Sequence, residues 1–447
     1  MNDWIKSDLA HNWHPYTQMS ALEARPPILI DRAQGIKLYD AQGRWYYDTI
    51  SSWWCNVHGH GHPKILAAIA RQARRLDHVL FAALTHKPAI ALARKLVELA
   101  PQGLRRVFYS DDGSTAVEAA LKMSLQYWRN TGRPRKTGFI ALDRGYHGDT
   151  IGCMSVSGVD LFVKPFAPLM FSARRVRSPY CYRCPLGATQ KSCGAACTRW
   201  LKAALRRHAD TTAAVIIEPL LLGAGGMIAY PATYVARAAQ LARQHRVHLI
   251  LDEVATGFGR TGTMFACAQA AVRPDFLCLS KGLTGGTLPL AATLTTEDVC
   301  DAFRGPVGGD KTFYHGHTYT ANPIACAAAL ASLRIFAEAD VLAHVRTLAA
   351  KLRQGIRRFR RHPLVGDIRG LGTVAALELV KDKKTKEPLP GAEMAAFYHQ
   401  GLRQGLILRP LGNVLYLFLP LCTTPAQLDD ILDRMWAAMN ASGSEGL

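Results

Sequence analysis

The 447-residue chain lacks any apolar run long enough to cross a membrane: runs such as AAVII at 213–217 and HLIL at 248–251 have the length of strands. The N-terminal stretch MNDWIKSDLAHNWHPY has no continuous apolar core of the kind a secretory signal needs, so a cytoplasmic protein is expected. Low-complexity tracts and fixed-period repeats are missing, which excludes solenoids and disordered tails as the main architecture. No proline- or serine-rich linker marks a domain boundary. Acids are the scarce charge, 34 against 54 lysines and arginines, for a net +20. The bases are spread over helical stretches (RQARR, RPRK, RRVR, RQGIRRFRRH) without interleaved aromatics or a nucleic-acid motif. A solvated basic surface is expected, with no nucleic-acid partner.

Apolar residues make up 49% of the chain and charged residues 20%, an ordinary globular composition. The length exceeds what one core supports, so a large domain and at least one smaller one are expected. From about Lys64, helical stretches (HPKILAAIARQARRL, AIALARKLVELA) alternate with short apolar runs (RRVFYS, TGFIALD, AAVIIEP, VHLILDEV, DFLCLS). This alternation predicts an α/β domain with a mostly parallel sheet covered on both faces. Ligands of such sheets gather at the carboxyl ends of strands. From about Asn322 an alanine-rich helix leaves this domain for a compact α+β remainder. The expected division is 1–60 as the N-terminal part of a small domain, 61–325 as the large domain, and 326–447 as the C-terminal part of the small domain.

Of the 11 cysteines, seven are scattered through core or helical segments. The other four, Cys181, Cys184, Cys193 and Cys197, are spaced C-x2-C, eight residues, C-x3-C. That spacing suits zinc or an iron–sulfur cluster, where two thiolates are needed at each end of a turn. The simpler reading is a thiol-rich surface loop with no metal.

Lys281 follows the apolar run PDFLCLS and opens a glycine-rich turn, and Asp252 ends the run VHLILD 29 residues upstream. A lysine and an aspartate delivered to neighbouring strand ends suggest pyridoxal phosphate chemistry: the lysine bonds the cofactor aldehyde and the carboxylate keeps the pyridine nitrogen protonated. Val254 is positioned to cover a ring face. In SDDGSTAVEAALK, Gly113 and Ser114 open an amphipathic helix whose free N–H groups and dipole favour a phosphate, although Asp-Gly-Ser also serves as plain capping. GYHGDT supplies Tyr146, able to lie against a planar ring, and Asp149 to support it.

In order along nearly the whole chain, DDGSTAVEAALK, GYHGDT, VIIEP, DEVATGFGRTG, LSKGLTGG and HGHTYTANPIACAAALASL resemble the class III aminotransferases. The resemblance implies the fold type I pyridoxal-5′-phosphate transferase architecture, with a small domain built from both termini. It implies catalytic roles for Lys281, Asp252 and Tyr146, phosphate binding by Gly113 and Ser114, and a homodimer in which Thr318 reaches the cofactor phosphate of the neighbouring subunit, beside His317. WHPYTQM and SSWWCNVHGHGHP resemble segments of the members that serve biotin synthesis. That narrower likeness implies 8-amino-7-oxononanoate as acceptor and S-adenosylmethionine as donor, with a substrate pocket of Tyr16, Trp53, Tyr146, Arg260, Lys281, Gly316 and Arg409. Lysine as donor, or a broad ω-aminotransferase acting on diamines or β-amino acids, are the alternatives. The chain departs from the pattern where His317 follows Gly316, a place often held by proline, and in its cysteine-bearing insert.

Overall fold

The computed structural model describes residues 2–189 and 192–441. Its centre is a seven-stranded sheet in the order Leu104–Ser110, Ala291–Thr296, Phe276–Leu279, His248–Asp252, Thr212–Ile217, Gly138–Leu142, Arg174–Val176. Only Ala291–Thr296 runs against its neighbours, so the sheet is mostly parallel and the fold is α/β. The central strands TAAVII, HLILD and FLCL are buried on both faces. A continuous apolar run is what that position demands, since helices cover both sides.

The helix Gly113–Asn130 covers one face through Ala116, Val117, Ala120, Leu121 and Trp128, against Ile216, Ile250, Phe276 and Cys278. Asp112 caps its start: its carboxylate accepts from Thr115 N–H, and the Thr115 hydroxyl lies back on Asp112 N–H. This reciprocal cap fixes where the first turn points. On the other face, the alanine-rich helix Pro323–Glu338 is buried nearly all round. It packs on Pro63–Ala73, on Lys87–Leu99 and on the short turn Lys281–Thr284. Small side chains bring these backbones close and hold the lysine's turn against a rigid support.

The small domain joins the two ends of the chain. Val374–Asp382 is flanked by Val365–Leu371 and Val414–Phe418, all antiparallel. The N-terminal meander Ile30–Gln34, Lys37–Asp40, Trp45–Tyr47 meets this part at Tyr47, whose N–H donates to Gly405 O and whose carbonyl accepts from Ile407 N–H. Ile36 and Tyr47 share a core with Leu377, Leu417, Ile431 and Met435. Among the described residues, no helix is long and apolar enough to cross a membrane.

Candidate active site

Lys281 stands just past Phe276–Leu279, with φ +40°, as the first residue of a tight turn closed by Gly285 and Gly286 at φ +69° and +86°. A side chain at Gly286 would lie 2.6 Å from Cys55 O, so glycine is required where this turn touches the segment carrying the tryptophans. The ammonium is 5.3 Å from the centre of the Trp54 ring. Burial pushes the Lys281 pKa down, while the carboxylates of Asp252 and Glu218 act against that shift.

Asp252 ends the adjacent strand and is 5% exposed. One oxygen lies 2.8 Å from His147 Nδ1 and the other accepts from Val254 N–H at 3.0 Å. His147, which lies in GYHGDT and was not among the expected site residues, thus gives this carboxylate a buried partner. Glu218 was missed as well. It follows the strand Thr212–Ile217 as Asp252 ends its own, and that shared delivery was a usable signal. Its carboxylate accepts from Tyr146 N–H at 2.8 Å and Gly223 N–H at 3.0 Å. Burial pushes its pKa up to about 7, with Asp252 adding to the shift and His147 opposing it.

These side chains line a cavity of about 440 Å³, together with Trp54, Gly113, Ser114, Tyr146 and Val254. Two larger clefts contain neither Lys281 nor Asp252. The first-turn N–H groups of Gly113 and Ser114 have no carbonyl within their own helix to bond. A Cβ on Gly113 would stand 2.5 Å from Val254 Cγ1, and one on Gly148 would stand 2.1 Å from Ser114 Oγ. Bare backbone is therefore built into the cavity wall at Gly113 and Gly148. An amine, a buried carboxylate for a ring nitrogen, a branched side chain for a ring face and a helix N-terminus for a phosphate, all lining one cavity, together fit pyridoxal 5′-phosphate.

At the mouth, the Tyr16 hydroxyl donates to Asp149 at 2.6 Å and lies 3.4 Å from the Tyr146 hydroxyl. Burial, helped by Asp149, pushes Tyr16 up to about 12; burial raises Tyr146 also. The Tyr16 ring meets Trp53 edge to face at 5.7 Å. Arg409 lies 4.9 Å from the centre of the Trp53 ring and donates to Tyr16 O at 3.1 Å. Among the described residues no carboxylate is paired with Arg409. Tyr16, Trp53, Tyr146 and Arg409, far apart in sequence, thus form one rim.

Other expected residues lie elsewhere. Arg260 is 2% exposed, stacked 4.3 Å from the Phe418 ring, with its donors on Leu419 O, Asn56 O and Thr373 Oγ1. It joins the two domains and does not line the cavity; burial pulls its pKa down to about 9. Gly316 and Thr318 sit on an exposed loop outside the cavity, and His317 Nδ1 lies 2.8 Å from Asp111. Cys181, Cys184, Cys193 and Cys197 border one small crevice as free thiols, and burial pushes Cys181 and Cys197 up to about 11. Among the described residues no cluster of three or more His, Cys, Asp or Glu is arranged to hold a metal ion.

One backbone feature was not anticipated. Ser51, Ser52, Trp53 and Trp54 have φ of +52°, +44°, +74° and +72°, and Trp54 N–H donates to Ile50 O at 2.8 Å. This is a full left-handed helical turn without glycine, a conformation that costs about 1–2 kcal/mol per residue.

The model of the class III aminotransferase family matches residues 19–439. The chain is 44% identical over 438 residues to the adenosylmethionine-8-amino-7-oxononanoate aminotransferase of Geobacter sulfurreducens, covering 97% of this chain and 96% of that one. The crystal structure of the enzyme of that name from Methanocaldococcus jannaschii superposes with a TM-score of 0.93 at 41% identity, covering 98% and 99% of the two chains. An ω-transaminase from Pseudomonas jessenii, solved in complex with PMP, also superposes at 0.93, with 32% identity and coverage of 99% of both. With its lysine, its strand-end carboxylate and its helix terminus gathered around one cavity, the chain belongs to the class III aminotransferases, and its cofactor is pyridoxal 5′-phosphate.

Proposed function

We propose that the protein moves an amino group from S-adenosylmethionine to 8-amino-7-oxononanoate, giving 7,8-diaminononanoate in the synthesis of biotin, by two half-reactions in one pocket. When bound, pyridoxal 5′-phosphate supplies the carbonyl that takes up the amino group and the ring that accepts the electrons released at the donor carbon. Lys281 Nζ would hold the cofactor in the resting enzyme and would move the proton at the donor carbon; burial, which lowers its basicity, suits it to both. Asp252 keeps a proton on the ring nitrogen, and His147 keeps Asp252 in place. Gly113 and Ser114 take the phosphate on one side, and Thr318 of a second copy reaches it from the other, so the working unit is a homodimer with shared sites in the cytoplasm.

The observation that carries this reading is the cluster of Tyr16, Trp53 and Arg409, joined through Tyr146 to the cavity that holds Lys281. Aromatic faces suit both a methylene chain and a sulfonium cation, and a guanidinium with no carboxylate partner among the described residues suits a terminal carboxylate. The decisive experiment mixes cofactor-loaded protein with S-adenosylmethionine, lysine or a simple diamine in turn, and follows the cofactor's absorbance to its amine form before adding the keto acid. Conversion by S-adenosylmethionine followed by 7,8-diaminononanoate is expected. Conversion by a diamine alone would replace this reading with a broad ω-aminotransferase.

A further inference from the structure

The left-handed turn at Ser51–Trp54 carries Trp54, which lines the cavity, and Trp53, which stands beside Tyr16 and Arg409, and its conformation is imposed from outside. Nothing in the sequence Ser-Ser-Trp-Trp favours positive φ; glycine, asparagine and aspartate are the residues that tolerate it. Asp48, 1% exposed, is the anchor. Its Oδ1 accepts from Ser52 N–H at 2.8 Å, and its Oδ2 accepts from the Ser52 hydroxyl at 2.7 Å and lies 2.9 Å from His60 Nε2. The far end is tied by Ser51 Oγ to Phe418 O at 2.5 Å and by Trp54 Nε1 to the Tyr416 hydroxyl at 3.1 Å. Trp54, stacked on Phe418, is thereby turned toward Lys281, while Trp53 stays 43% exposed beside Tyr16 and Arg409. In a right-handed turn the side chains would go round the axis in the opposite sense, and the two indoles would not face the cavity and its mouth together.

We infer that Asp48, held by His60, is a positioning residue for substrate specificity: by keeping Ser51–Trp54 wound to the left it sets the two indoles against the long-chain keto acid. The inference rests on the function proposed above. Asp48 touches neither the cofactor's cavity nor Lys281. Its loss therefore acts on substrate binding and spares cofactor binding.

The test compares the holoenzyme with Asp48→Ala, Asp48→Asn and the double variant Asp48→Ala/Ser52→Gly. Asp48→Ala should raise KM for the keto acid roughly tenfold, the scale of one lost hydrogen bond to a charged group, with kcat and cofactor absorbance little changed. Asp48→Asn keeps an acceptor for Ser52 N–H and should give a smaller rise; it carries the test should the alanine variant fail to fold. Ser52→Gly should restore much of the lost KM, because glycine takes φ near +44° without a Cβ clash. Near-ultraviolet circular dichroism of the indoles should change in Asp48→Ala whichever substrate the enzyme uses. A lower melting temperature with KM and the indole signal unchanged would overturn the inference, as would a KM rise that Ser52→Gly leaves untouched. Wild-type enzyme that ignores the keto acid would instead overturn the proposed substrate, with the indole signal still deciding the role of Asp48.

Discussion

Glu218 offers a quantitative test of the electrostatics around the cofactor. Its carboxyl is buried, accepts two backbone N–H bonds and has its pKa pushed from 4.5 to about 7. In the unfolded chain the proton leaves near pH 4.5; in the folded protein it stays on until about 7. Between those values the native state binds more protons than the unfolded one, so this residue's contribution to stability falls as pH rises, and levels off above 7. A shift of about two and a half pH units corresponds to roughly 3 kcal/mol. Glu218→Gln has no such titration. Its amide can accept only one of the two N–H bonds, so at pH 5 the variant should be less stable by about 1–3 kcal/mol. Between pH 5 and 8 the wild type loses about 2.5 kcal/mol of this contribution, so that deficit should close or reverse by pH 8. For 447 residues, an unfolding entropy of about 2 cal/mol/K per residue turns 3 kcal/mol into about 3 °C. Thermal unfolding of both cofactor-free proteins from pH 5 to 8 measures the difference directly. Two curves that stay parallel across this range would refute the reasoning.

Arg409→Met keeps the side chain's length and removes its charge. It should raise KM for the keto acid by roughly tenfold to a hundredfold, as the loss of a charge-assisted bond implies, whereas the methyl ester of the same acid should not distinguish the two proteins; equal KM for the acid would remove Arg409 from substrate binding. Gly113→Ala places a Cβ 2.5 Å from Val254 Cγ1 at the phosphate turn. Overpacking of about 1–3 kcal/mol should weaken cofactor affinity roughly tenfold in an absorbance titration of the apoprotein, and undiminished affinity would show that the turn is not the phosphate site.

The central strands were legible because burial on both faces leaves no freedom: VHLILD and DFLCLS are apolar to the end, and the polar residue that terminates each is delivered to the cavity. The alanine-rich helix at Pro323–Glu338 was legible for the same reason. The reversed strand Ala291–Thr296 was not singled out; with three threonines in AATLTT it has little apolar patterning, and its place is fixed by pairing with Phe276–Leu279 and Leu104–Ser110. The left-handed turn had no local signal at all, since its cause is Asp48 and Phe418 rather than its own residues. Tyr16, Trp53 and Arg409 came from family likeness, and only tertiary packing brings them to one rim. Arg260 lies in a motif facing the cavity, yet its guanidinium turns to the domain junction because the carbonyls of Asn56 and Leu419 meet it there.

The central claim is that Lys281 is the residue bonded to pyridoxal 5′-phosphate. Borohydride reduction of the loaded protein, followed by digestion and mass spectrometry, reads that bond site by site. A pyridoxyl label on the peptide holding Lys281, lost in Lys281→Ala, is the expected result. A label on another lysine, or none on protein that had taken up the cofactor, would contradict the account.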